Sequence, residues 1–313
     1  MASEPVYNLV IIHTPASQEL SDWLTVKAHI LARAPDIDVR IANNVLPSRE
    51  TQLWQITRPS LVFSPLHLYD YRPLGGTVYV GRQFDKLAEA GRLAKAGLPV
   101  PRSTRLVQDL VLDPHVWGQF VIVKPIHDGS QGANVRLVET SSLDARFKEL
   151  TVNRKYRMMV QQYVDQVDEF DRPFQYRVLT MFARPLLSAK HGWSAPRRAL
   201  AEVATDPGAA IAVNTKGVER DWELASDPEV LELAVRAAKS MPEIPCLGLD
   251  ILRDRQSGKL YVLETNSGGN IWHFSSRLGM SFSPTVRKKL YAQFNALEVA
   301  ADLLIERTRA ESS

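Results

Sequence analysis

Three oxygen-bearing side chains stand close together late in the sequence: Asp250, Glu264 and Asn266. They belong to the run from Leu247 to Asn266, in which two β-rich stretches flank a turn containing Ser257-Gly258, the pattern of a hairpin. A turn centred on Ser257 sets Asp250 opposite Glu264, because each lies seven residues from that centre. Glu264 and Asn266 are two apart and so share a face, and cross-strand Cβ atoms lie roughly 4.5–5.5 Å apart. Two carboxylates that close repel, and a hard divalent cation with oxygen ligands, magnesium above all, removes the penalty. The competing reading is a solvated hairpin whose acids pair with Arg253 and Lys259. A one-residue slip of the turn would break the convergence.

Two lysines invite an anion. Lys124 ends the apolar run Val121-Ile122-Val123-Lys124-Pro125, just before a loop with two glycines, His127-Asp128-Gly129-Ser130-Gln131-Gly132. Glycines let backbone N–H groups approach a phosphate, and the lysine adds a point charge. Lys86 follows Asp85 near the start of a helix, where a cation opposes the helix dipole unless an anion is near. Taken singly, both are ordinary surface lysines. The loop lacks the Gly-x-x-x-x-Gly-Lys-Ser/Thr pattern, and no Gly-x-Gly-x-x-Gly fingerprint occurs.

These residues need a scaffold. Tyr7 to Ile12 reads as a buried strand, followed by a helical stretch from about Ser17 to Ala34 and a strand from Ile37 to Ile41. Leu61 to Phe63 and Val78 to Val80 complete an open α/β layer with parallel pairing, residues 1–80. The second unit, 81–164, is small and α+β. It holds a helix from Gln83 to Ala96 stopped by Gly97 and Pro99, and strands at Phe120 to Pro125, Ala133 to Val138 and Met158 to Val164. The third unit, 165–313, holds strands from Gln175 to Phe182 and from Pro185 to Ala189, then a helix from Glu229 to Ser240. The carboxylate hairpin and one long helix from Pro284 to Arg309 complete it. The Ala/Pro/Gly-rich stretch Ala195 to Ala212 reads as a mobile loop.

Composition narrows the classes. At 313 residues the chain exceeds one compact core, and 38 basic residues nearly balance 35 acidic ones, so neither a nucleic-acid nor a membrane partner is demanded. The single cysteine, Cys246, excludes an internal disulfide and reads as a buried structural thiol. No run approaches the ~18 apolar residues of a membrane helix, and Met1 to Ile12 has no basic signal region, so cytoplasmic residence is expected.

The order of the pieces carries more than any one of them. Asp85-Lys86 opens a helix ending in Ala96-Gly97-Leu98-Pro99, followed by Val123-Lys124-Pro125 and its loop, then Val160-Gln161-Gln162-Tyr163-Val164. Tyr176-Arg177-Val178-Leu179, Asn214, Leu249-Asp250-Ile251 and Glu264-Thr265-Asn266 complete the series. Over about residues 80–280 this resembles the ATP-grasp superfamily, carboxylate–amine ligase type, and is similar to its RimK-like glutamate ligase branch. The resemblance implies an ATP-grasp fold behind an N-terminal α/β pre-ATP-grasp domain.

It also implies roles. ATP would be held by Lys86 and Lys124, the loop Asp128, Gly129, Ser130, Gln131 and Gly132, the adenine segment Gln161, Gln162, Tyr163 and Val164, and Asn214. Asp168 would bind ribose, with Glu169 and Asp171 as nearby alternatives. Asp250, Glu264 and Asn266 would hold two magnesium ions, with manganese as a substitute, and Arg177 would face the reacting phosphate. Ser267, Gly268, Gly269 and Asn270 match the loop that binds the carboxylate to be activated. Relatives often carry a basic residue where this chain has Ala212, and Lys190, Arg197, Arg198 or Lys216 would supply that charge. Relatives also favour a glutamate where Gln161 and Gln162 stand. Trp272 and Phe274 either shape an acceptor pocket or pack on a core, while His191 and His273 read as structural. The implied chemistry joins a small-molecule or peptide carboxylate to an amine through an acylphosphate. An ATP-grasp kinase or carboxylase-type enzyme, and a non-catalytic ATP-binding module, are the alternatives. A homodimer, common among relatives, is left open.

Overall fold

The structure is a computed structural model that describes residues 4–15, 17–127, 132, 134–152, 157–267 and 271–313. Three sheets follow one another along the chain. The first is parallel, in the order β2-β1-β3-β4, from β1 (Tyr7–His13), β2 (Ile37–Asn43), β3 (Ser60–Ser64) and β4 (Thr77–Val80). The unbroken apolar run Leu9–Ile12 suits the inner β1, because a strand between helices buries both faces. Leu9 and Ile11 face α1 (Leu20–Arg33), whose Trp23, Val26 and Ile30 recur at helical spacing. Val10 and Ile12 face the other way, towards Tyr71 and the Trp54 of α2 (Arg49–Gln55).

The second sheet has the order β5-β8-β6-β7 and contains β5 (Ser103–Arg105), β6 (Phe120–Pro125), β7 (Arg136–Glu139) and β8 (Met158–Gln162). Ahead of it runs α3 (Lys86–Lys95), N-capped by Asp85, whose carboxylate accepts from Leu87 and Ala88 N–H. Gly97, at φ +73°, takes the left-handed turn that stops this helix. Two single-turn helices, α4 (Pro114–Trp117) and α5 (Phe147–Leu150), flank the sheet.

The third sheet is antiparallel, order β11-β10-β9-β12-β13, from β9 (Phe174–Met181), β10 (Arg184–Trp193), β11 (Arg220–Leu224), β12 (Cys246–Arg253) and β13 (Leu260–Asn266). Between β10 and β11, the stretch expected as a loop contains α6 (Leu200–Thr205). Its Val203 and Ala204 are buried against Leu137, and that contact gives the turn a reason to form. One face of the large sheet, Val178, Leu249 and Ile251, is covered by α7 (Pro228–Lys239). Alternation then turns Arg177 and Asp250 to the opposite face.

The long helix expected at the C-terminal end is instead broken. After α8 (Arg277–Ser281), α9 (Pro284–Ala292) stops before α10 (Ala296–Glu311), with Asn295 left-handed at φ +51°. Gln293 in the break donates to the Ser188 carbonyl at 2.9 Å and accepts its N–H at 2.9 Å. Docking on β10 offsets the helical hydrogen bonds lost there, and asparagine tolerates the left-handed turn better than most residues. Among the described residues no helix is long and apolar enough to cross a membrane.

Candidate active site

The small and large sheets face each other across a cavity. Ile122, Lys124 and Pro125 line it from the small sheet, Gln175, Asp250, Leu252, Leu263 and Glu264 from the large one, and Gln161–Val164 line it too. Lys86, Gly132 and Asn214 also reach it.

Asp250 pairs with Glu264 across the hairpin and with Arg177 on the other side. The turn itself is not centred on Ser257, since Arg253 pairs with Leu260. Continued regularly, that register would set Asp250 opposite Leu263. A β-bulge at Leu263 inserts the extra residue and restores the Asp250–Glu264 pair. Leu263 and Glu264 both line the cavity.

Asp250 is 1% exposed and saturated. It accepts from Gln175 Nε2 at 2.8 Å, Arg177 Nη2 at 2.9 Å and Asn266 Nδ2 at 3.2 Å, with Arg177 Nε 2.7 Å from its other oxygen. Burial pushes its pKa up, and the guanidinium pulls it back. Asn266 turns its amide nitrogen to Asp250, which leaves its Oδ1 for another partner. Among the described residues the Glu264 carboxylate has no hydrogen bond or ion pair. Hard oxygen donors are therefore available at Glu264 and Asn266, with Asp250 fixed behind them, and this donor set fits magnesium. No group of three or more His, Cys, Asp or Glu side chains forms a metal cluster among the described residues.

Lys124 is buried, and burial lowers its pKa; Glu264 and Glu89 counter this, while Lys86 adds to it. Two lysines that repel beside a carboxylate are held most stably by a bound anion. Glu89, one turn beyond Lys86, is buried at 5% exposure with its pKa pushed up to about 7. It accepts the Thr265 N–H between Glu264 and Asn266. An acid in a first helical turn reads as a dipole partner, so the sequence gives it no other signal. Gln175 had a signal, standing two residues before Arg177 and so on its face.

Several expected residues are placed otherwise. Lys190 is not in the cavity: it pairs with Tyr176 in the sheet, on the face opposite Arg177, with Nζ 3.4 Å from Glu223 and 4.4 Å from the Phe174 ring. Asp168 does not reach the cavity, because it accepts from Phe170 N, Arg172 N and Arg172 Nε at 2.7–3.0 Å. Arg197 is bound to Asp165 and Tyr163, and Arg198 to Asp206 and Glu202. Arg220 donates to Asn214 Oδ1 at 3.3 Å. Ser267 donates to the Arg82 carbonyl. Gln161 and Gln162 do line the cavity, with Gln161 donating to Ser103 at 3.2 Å and Gln162 accepting from Arg102 N–H at 3.5 Å. Asp128, Gly129, Ser130, Gln131, Gly268, Gly269 and Asn270 lie outside the described residues.

Trp272 and Phe274 belong to the core. Trp272 lies 4.5 Å from the Trp23 ring and donates to Asp22 at 2.7 Å, and Phe274 packs at 5.1 Å from Trp272 and from Tyr291. His191 stacks on Trp222 at 4.3 Å and shares a hydrogen bond with Asn214. Burial and the nearby Arg177 hold the pKa of His191 and of His273 down to about 3, so both are neutral.

No protein-family model matches this sequence, and no curated protein matches it. Solved structures do. D-cycloserine synthetase DcsG is 14% identical with a TM-score of 0.54, over 95% of this chain and 99% of that chain. The ATP-grasp ligase PsnB, complexed with precursor peptide PsnA2 and AMPPNP, is 19% identical with a TM-score of 0.54, over 96% and 98%. D-alanine–D-alanine ligase from Bacillus anthracis is 14% identical with a TM-score of 0.51, over 97% and 100%. Three sheets with a cavity between the second and third, seen in full-length alignment with these proteins, define the ATP-grasp fold.

Proposed function

We propose that this chain is an ATP- and magnesium-dependent ligase that activates a carboxylate as an acylphosphate and joins it to an amine. The observation that carries the reading is one cavity lined by Lys86 and Lys124 together with the Asp250–Glu264 pair, to which Asn266 is hydrogen-bonded at Asp250. Cations for phosphate oxygens and hard donors for a divalent ion then meet at one point, as phosphoryl transfer requires. PsnB, which shares the fold at a TM-score of 0.50 in its complex with Mg and ADP, supports this choice of nucleotide and metal. We place the chain near the RimK-like branch, with two ions as in that branch and a peptide or small-molecule carboxylate as substrate.

Lys86 and Lys124 bind and orient the phosphates, and the backbone of Tyr163 and Val164 receives the base. Arg177 does not itself line the cavity but is fixed by Asp250, which does, and from there it would offer the reacting phosphate a positive charge that need not reorganise during reaction. Glu264 and Asn266, with Asp250 fixed behind them, would hold magnesium, which would supply further neutralisation of phosphate charge. The substrate carboxylate attacks the γ-phosphorus and ADP leaves. The amine then displaces phosphate from the acyl carbon.

Hydroxylamine tests this reading. With ATP, magnesium and an accepted acid, it should intercept the acylphosphate and yield a hydroxamate without the natural amine. A stable phosphoester with every accepted substrate, and never a hydroxamate, would replace the ligase by a kinase. Tight ATP binding without turnover would leave only a binding module.

A further inference from the structure

The nucleotide cavity contains a polar group that the roles above leave unused. Gln166 lines the cavity at 4% exposure. Its Oε1 accepts the Arg253 backbone N–H, and its own carbonyl accepts Phe174 N–H at 3.4 Å. A backbone N–H only donates, so the atom turned to Arg253 is the oxygen and the free end is the amide nitrogen. That Nε2 is buried and has no partner among the described residues. A buried donor left unpaired costs about 1–3 kcal/mol, and the tether to Arg253 keeps it from turning out to water.

Of the acids near Gln166 in the chain, Glu169 is exposed and does not line the cavity, and the others are already paired. Asp168 is closed on Phe170 and Arg172, Asp171 is paired with Arg255, and Asp165 is held by Arg197. Gln175 already gives its amide to Asp250. The wall around Gln166 is otherwise apolar, with Val164, Pro173, Phe174 and Leu252. Gln166 follows closely on Gln161–Val164, the segment assigned above to the base, and the same cavity is lined by Lys86, Lys124 and Glu264, assigned to the phosphates and metal. The part of a nucleotide that joins base to phosphates and carries hydroxyl oxygens is the ribose.

We propose that Gln166 recognises the sugar of the nucleotide, donating its amide N–H to a ribose hydroxyl oxygen. The proposal rests on the ATP-binding reading above and names the residue that reads the sugar. It replaces the expected carboxylate, which accepts a hydroxyl proton, by a neutral donor that needs only an oxygen lone pair.

The test is the dissociation constant of ATP, 2′-deoxy-ATP and 3′-deoxy-ATP with magnesium, on the full chain and on Gln166→Met. A net hydrogen bond of about 1 kcal/mol corresponds to roughly a fivefold change. The native protein should bind one deoxynucleotide about fivefold more weakly than ATP. In Gln166→Met, ATP should weaken to that level and the preference should vanish. Equal affinity of the native protein for all three nucleotides overturns the proposal whether or not the variant folds, and so does a preference that survives in Gln166→Met. ATP binding without the preference removes this inference alone, whereas no ATP binding at all removes the functional reading with it.

Discussion

Glu89 makes stability depend on pH in a direction opposite to that of a surface acid. Its pKa moves from 4.5 to about 7, mainly through burial, so the folded protein keeps a proton that the unfolded chain has released. The sign follows: the contribution is complete below pH 4.5 and is lost as pH rises through 7. A shift of that size at 1.36 kcal/mol per unit gives about 3 kcal/mol at full titration. Glu89→Gln removes the charge at every pH and keeps an oxygen for the Thr265 N–H. Urea unfolding at pH 5, 6, 7 and 8, with EDTA to strip divalent ions, reads the difference between the two proteins. The native chain should lose about 2–3 kcal/mol relative to Glu89→Gln between pH 5 and 8, most of it between 5 and 7. A difference that stays flat would refute the burial argument, and one of opposite sign would mean that Lys124 outweighs burial.

Lys124→Ala should weaken ATP by about 10–100-fold, the loss of a charge-assisted contact, and adenosine hardly at all; calorimetry with both ligands checks it. Glu264→Gln should abolish ADP formation in magnesium while circular dichroism stays native, because only the charge is lost. Trp272→Ala should destabilise the fold by about 3–5 kcal/mol in denaturant unfolding, since the side chain is 1% exposed and its N–H pairs with Asp22.

Much of the architecture was legible from two periods. The apolar run Leu9–Ile12, the Trp23, Val26 and Ile30 spacing of α1 and the two arms of the hairpin each have one good burial solution. The Asp250–Glu264 pairing was legible too, though the bulge at Leu263 that produces it was not. A bulge depends on how β13 meets its neighbours, and no residue in Val262-Leu263-Glu264 marks it. Lys190 illustrates the same limit. Alternation says that only every second residue of β10 faces the site, but the irregularity between Pro185 and Leu187 affects which ones do. Asn295 breaks the last helix for a tertiary reason, the docking of Gln293 on Ser188. Asp168 looked available because a carboxylate in a polar run carries no sign that its own turn will consume it.

The helix α10 closes the core that β1 and α1 begin: Ala296, Ala300, Ala301 and Leu304 pack with Leu9, Ile11, Trp23 and Ile30. Arg33 is paired with Asp302 at 2.7 Å, and Arg309 with Asp36 at 2.6 Å. During synthesis this sheet is made well before the helix that covers it. At about 5–20 residues per second, the ribosome takes on the order of tens of seconds to pass from β4 to α10. For that interval the Trp23, Val26 and Ile30 stripe of α1 is an adhesive surface on a nascent chain. Substitutions along the buried face of α10 should therefore reduce soluble yield during expression more than they reduce the stability of protein already folded.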